Sequence, residues 1–124
     1  MGPARVRASG IPPLARAVIA AFIPDLLFGS NVVASLSAAG HEVKLVSTPE
    51  GSEDADALIV DLTLDAPERI AALPEGRPPT LAFYSHVEVD VRRLAESAGI
   101  ELVVPRSRMA REAPALVQRL ISKA

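Results

Sequence analysis

The sequence predicts a three-layer α/β sandwich around a parallel sheet, and three observations carry that expectation. The stretch Ala57–Leu64 (ALIVDLTL) is a near-continuous apolar run that meets a carboxylate at Asp61 and then turn-like sequence. Such a run reads as a strand buried on both faces at the centre of a parallel sheet. Short apolar runs then alternate with segments of helical spacing along the chain, the pattern of successive βα units. Finally, the chain is 49% apolar yet holds only three Phe and one Tyr. Its core must be built from Leu, Val, Ile and Ala, which suits helices packed on a parallel sheet. Ligands in such sheets bind beyond the carboxyl ends of the strands, and Asp61 sits at such an end. There it is either the working group of a site or a cap for the segment that follows.

At 124 residues the chain makes one domain, expected over residues 14–124. Residues 1–13, with Arg5, Arg7 and the Pro12-Pro13 pair, are expected to form a flexible arm. Ala15–Ile23 is the first strand, ended by Pro24-Asp25. A helix follows, with Leu26, Val33, Leu36 and Ala39 near helical spacing and Gly40 as its stop. Glu42–Val46 alternates as a short second strand, and TPEGSEDAD (48–56) predicts a loop or at most one helical turn. After the central strand, Asp65 is expected to cap a short helix that carries Pro67 in its first turn and ends near Leu73-Pro74. Thr80–Tyr84 is the fourth strand. His86–Ala98 is a helix closed by Gly99, with Val87, Val91, Leu94, Ala95 and Ala98 on one face. Glu101–Val104 is the fifth strand, and a last helix runs from about Met109 to Ser122 with Leu116, Leu120 and Ile121 turned inward.

Composition closes several routes. A net charge of −2 gives no electrostatic case for nucleic acid or membrane. No cysteine means no disulfide, no thiolate metal site and no thiol nucleophile. With His41 and His86 the only histidines, an all-protein zinc site is not expected. The apolar run Ala17–Leu27 is broken by Pro24 and Asp25 and falls short of the about 20 residues that span a bilayer, so a cytoplasmic protein is expected. No Gly-rich phosphate loop follows the first strand, and no G-x-S-x-G elbow exposes Ser85 beside His86. The expectation is a protein that is not an enzyme.

The segments LSAAGHEVKLV, DALIVDLTL, PTLAFYSH and LAESAGIELVVPRS resemble, in strand and glycine spacing, the receiver domain of bacterial response regulators over roughly residues 15–122. The resemblance implies a flavodoxin-like fold with strand order 2-1-3-4-5 and places Asp61 on the phosphoacceptor aspartate. It also implies an acidic pair that holds Mg²⁺, a switch hydroxyl and a phosphoryl-binding lysine. Those positions fall on Ile23 and Pro24, on Tyr84 (with Ser85 next to it) and on Val104. Of the reactive set only Asp61 stays in register, so the resemblance implies a degenerate member, a pseudo-receiver that works through a protein partner of a signalling pathway without bound cofactor. A homodimer is compatible with that reading.

Two alternatives stay open. A true but atypical phospho-receiver would use Asp61 as phosphoacceptor with Mg²⁺, Asp25 standing in for the acidic pair and Arg106 for the lysine. A small-ligand module is the second, since DLLFGSNVVASLSAAGHEV resembles the helix start of cobalamin-binding domains, with Leu27 at the metal-ligating position and Ser30 at a glycine position. In every reading the strand ends gather Asp25, Ser30, Asn31, Asp61, Ser85, His86, Arg106 and Ser107 on one rim. Each has a structural role open to it as well: Arg106 is either an anion hook or the partner of Asp25 or Asp61. By analogy with the family, Val87, Val89, Arg92, Arg93, Val103 and Pro105 are expected to dock a partner.

Overall fold

Five parallel strands stand side by side in the order β2-β1-β3-β4-β5. The computed structural model describes residues 16–85 and 89–123. The strands are β1 (Val18–Phe22), β2 (Glu42–Leu45), β3 (Ala57–Asp61), β4 (Thr80–Tyr84) and β5 (Leu102–Pro105). The helices are α1 (Leu26–Ala38), α2 (Ala66–Ala71), α3 (Val89–Ser97) and α4 (Arg106–Lys123). The expected architecture and strand order are therefore observed. The expected arm, His86 and Val87 lie outside the described residues.

β3 is central because it is apolar on both faces: Ala57, Leu58, Ile59 and Val60 are all fully buried. Ile59 pairs with Ala21 of β1 on one side and with Leu81 of β4 on the other. Alternation along the strands then feeds two cores. Ile19, Ala21, Ile59, Leu81 and Phe83 meet α1 and α4 through Phe28, Val32, Leu36, Met109, Leu116 and Leu120. Ala20, Phe22, Leu58, Val60 and Ala82 meet α2 and α3 through Ala66 and Ala95. Each fully buried leucine or isoleucine contributes about 1.5–3 kcal/mol relative to exposure.

The N-terminal ends of the strands are tied by side chains. His41, which is buried, accepts the amide of Ala17 at Nδ1 (3.0 Å). Asp56 accepts the amide of Val18 (2.8 Å), and Glu101 accepts that of Thr80 (2.9 Å). These contacts satisfy donors that the sheet ladder leaves open at its ends.

Several boundaries differ from expectation. The segment after β2 forms only a 3₁₀ turn at Ser52–Asp54, within the expected limit of one turn; Pro49 and Gly51 (φ +83°) break any longer helix. Asp65 does not cap α2: it sits at φ 54°, ψ 40° and its side chain makes no cap hydrogen bond. A capping residue takes extended dihedrals to bring its side chain to the helix amides, and Asp65 is left-handed instead. α4 begins three residues before the expected Met109, directly from β5. It breaks at Glu112 (φ −128°, ψ 21°), two residues before Pro114. The proline has no N–H to offer the Ala110 carbonyl, so the long helix kinks into two shorter segments.

Candidate functional site

The carboxyl ends of β1, β3, β4 and β5 and the starts of α1 and α4 surround one cleft of about 580 Å³. Phe28, Thr63, Ser85, Arg106, Ser107 and Ala110 line it. Each arrives for a local reason. β1 runs into Pro24, and Asp25 begins α1 as its N-cap, its Oδ1 accepting the Phe28 amide at 3.0 Å. Gly29 holds that turn close to the sheet: a Cβ there would stand 3.4 Å from both the Ile23 carbonyl oxygen and Leu45 Cδ2, in van der Waals contact with both. Phe28 is thereby set under the cleft, against Phe83 of β4 with ring centroids 5.0 Å apart.

Arg106 closes one side. Its guanidinium lies over the Phe28 ring, 4.4 Å from the centroid, and donates to Asp25 Oδ2 at 3.3 Å. Both side chains of this ion pair are about half exposed, at 49% and 48%. At that exposure the pair organises the rim but adds little stability, at most about 1 kcal/mol.

Asp61 is only 3% exposed and is not among the residues lining the cleft. Its Oδ1 accepts the amide of Thr63 at 2.8 Å and the hydroxyl of the same residue. This is the Asx-type turn by which an aspartate braces the loop after its own strand. Arg69 of α2 completes the brace. It donates to the Asp61 carbonyl oxygen at 2.8 Å, stands 3.9 Å from Oδ1, and lies over the Phe22 ring at 5.2 Å.

Of the residues expected on the rim, the structure brings Ser85, Arg106 and Ser107 into the cleft, with Asp25 at its edge through Arg106. Asn31 lines a smaller adjoining groove of about 230 Å³ between α1 and α4, with Phe28 and Ala110 common to both. Ser30 is exposed on α1 and lines neither. The expected docking face has Arg92 and Arg93 exposed on α3, whereas Val103 packs inward on the α2–α3 core and Pro105 is half-buried. Arg92 pairs with Glu96 at 3.2 Å, which raises its guanidinium above its ordinary pKa, with a smaller push from Tyr84. Tyr84, where the resemblance placed a switch hydroxyl, is itself buried.

Sequence reasoning missed Phe28, Thr63, Arg69 and Ala110. For Thr63 a signal was present: a threonine two residues after a strand-end aspartate is a turn partner. It also did not foresee the apolar rim. Leu26 and Leu27 start α1 and Leu64 follows β3, next to β1 in the sheet, and these three are 77%, 75% and 64% exposed. Among the described residues no three His, Cys, Asp or Glu side chains come together in a way that would hold a metal ion. Among them, too, no helix is long and apolar enough to cross a membrane.

Comparison with solved structures identifies this arrangement. A response regulator from Thermotoga maritima superposes with a TM-score of 0.72 at 14% identity, covering 87% of this chain and 99% of that one. The receiver domain of a Pseudomonas aeruginosa sensor histidine kinase, with magnesium in its active-site cleft, gives 0.68 at 22% identity, covering 87% and 99%. The chain has the receiver fold. No protein-family model matches it. Among curated proteins it is 36% identical over 81 residues to the probable glycine dehydrogenase (decarboxylating) subunit 2 of Thermus thermophilus, 64% of this chain. The chain spans only 16% of that relative's length. Between β2 and β3 the chain forms only the 3₁₀ turn. Asp61 is buried at the end of β3 and is bonded to Thr63, which lines the cleft.

Proposed function

We propose that this chain is a receiver-fold signalling module that acts through a protein partner without aspartyl phosphorylation, without bound Mg²⁺ and without catalysis of its own. One observation carries the reading: the carboxylate in the phosphoacceptor position is buried and braced by Thr63 and Arg69. The contacts of Thr63 and Arg69 fall on Oδ1, and in-line transfer to the other oxygen would need a cation neutralising the incoming phosphoryl group. Here the positions of the acidic pair carry Ile23, which is buried, and Pro24. The nearest acid, Asp25, is spent on the Phe28 amide and on Arg106.

The exposed leucines support the contact part of the reading. Leu26, Leu27 and Leu64 stand on the strand-end rim, and a partner that covers them gains about 25 cal/mol for each Å² of apolar surface removed from water. The test is incubation with acetyl phosphate and Mg²⁺ followed by intact-mass measurement. The expected result is an unchanged mass. A phosphoryl adduct that disappears in Asp61→Asn would overturn the reading and restore a working receiver.

A further inference from the structure

We infer that the outer edge of β2 is a self-association face, on which a second copy of this chain adds its own β2 antiparallel about a two-fold axis. β2 ends the strand order, and among the described residues no strand lies beyond it. The amides of Glu42 and Val46 bond back toward β1, to the Ala17 and Ala21 carbonyls at 2.9 Å each. Alternate residues of a strand face the same neighbour, so the N–H and C=O groups of Val43 and Leu45 point to the outer side. Such a row is what an edge strand offers to another chain. The surroundings leave room for one. Between β2 and β3 there is only the 3₁₀ turn, and a groove of about 170 Å³ lined by Lys44, Val46 and Ala55 opens beside it. Glu42 and Lys44, two residues apart and so on one face, are both exposed, and Leu45 is exposed on the other face.

Charge names the occupant and the register. With the pair centred on Val43, Glu42 stands opposite the partner's Lys44, and Lys44 opposite the partner's Glu42. These are the non-hydrogen-bonded positions, where facing side chains stand closest. Centring the pair on Glu42 or on Lys44 instead sets like charges face to face, which is destabilising. A lone lysine would repel a second copy and blunt the edge; Glu42 turns that repulsion into a match in one register. In this register the two Val43 residues exchange both backbone hydrogen bonds, and each Leu45 N–H donates to the partner's His41 carbonyl. The His41 N–H needs no partner there, since it already donates to the Leu36 carbonyl at 3.1 Å. The contact between Glu42 and Lys44 within one chain, 3.9 Å long and exposed, is weak enough to give way. Antiparallel addition also points the two strand-end rims in opposite directions, so the dimer presents two sets of Leu26, Leu27 and Leu64 to partners.

The experiment is sedimentation equilibrium of the full chain from about 10 μM to 1 mM, with amide hydrogen exchange at Val43 and Leu45 on the same samples. A monomer–dimer equilibrium is expected, with both amides gaining protection as dimer forms. Glu42→Lys and Lys44→Glu should each weaken dimerisation about tenfold or more. Mixing these two single variants should recover it, because opposite charges then meet at both positions, and the double variant should dimerise like wild type. Arg119→Glu, at an exposed position on α4, should change nothing. A chain still monomeric at about 1 mM, a dimer indifferent to both charge variants, or mixed variants that associate no better than either alone would each overturn the inference. Protection of Val43 and Leu45 that does not vary with concentration would overturn it as well, since a segment of the same chain would then cover the edge. None of these outcomes bears on the phosphorylation of Asp61, which intact mass reads separately.

Discussion

Replacing Arg69 with Met should destabilise the protein by more than one hydrogen bond is usually worth. The guanidinium serves three groups at once: the Asp61 carbonyl at 2.8 Å, Asp61 Oδ1 at 3.9 Å and the Phe22 ring at 5.2 Å. Its side chain is 14% exposed and that of Asp61 is 5% exposed, so solvent replaces little of what is lost. A hydrogen bond from a charged donor contributes about 1.5–3 kcal/mol, and a cation over an aromatic ring about 0.5–1 kcal/mol. Stripping a buried charge of its partner costs about 3–5 kcal/mol, but 3.9 Å is long for such a pair, so only part of that cost applies. The expected loss for Arg69→Met is therefore about 2–4 kcal/mol. Urea denaturation of the wild type, Arg69→Met, Asp61→Asn and the double variant forms a cycle that isolates the charge contribution. Arg69→Met should cost at least about 1 kcal/mol less when Asp61 is already Asn. Equal costs in both backgrounds, or a single-variant loss below about 1 kcal/mol, would show that Arg69 does not hold the carboxylate.

Asp25→Ala removes the α1 cap and the Arg106 pair and should cost about 1–2 kcal/mol in urea melts, while Asp25→Asn should stay within about 0.5 kcal/mol of wild type. His41→Ala strands the Ala17 amide at the start of β1 and leaves a small void. It should cost about 2–3 kcal/mol, with faster hydrogen exchange at Ala17 as the local readout. Asp65→Gly relieves a left-handed backbone without losing a cap, so stability should hold or rise by up to about 1 kcal/mol. A clear loss in thermal melts would mean that the Asp65 side chain caps α2 after all.

The fold was legible because its signals are local and periodic. The apolar run at β3, the strand spacing and the stop at Gly40 (φ +97°) each constrain a few neighbouring residues, and the resemblance they carry implied the sheet order that is observed. Half of the site was legible for a related reason: topology alone carries Ser85, Arg106 and Ser107 to the same end of the sheet. Where Asp61 points was not legible, because that depends on Thr63 two residues on and on Arg69 eight residues on, across a turn. The start of α4 was misplaced because helical spacing was counted from the apolar residues beyond Pro114, and the first segment buries little besides Met109.

The sequence by itself determined the layer architecture and the end of the sheet where chemistry would gather, and its resemblance to receiver domains implied the order 2-1-3-4-5. Apolar period and strand-end polarity are properties of short segments, and the rules for connecting βα units then leave little choice. Tertiary structure alone decided which side chains at that end face one another. It turned Asp61 into a buried brace, paired Arg106 with Asp25 over Phe28, and left three leucines on the rim open to solvent. Those outcomes rest on contacts between residues as far apart as 81 positions in the chain, set to within about an ångström by how the helices pack. No local pattern encodes a distance of that kind.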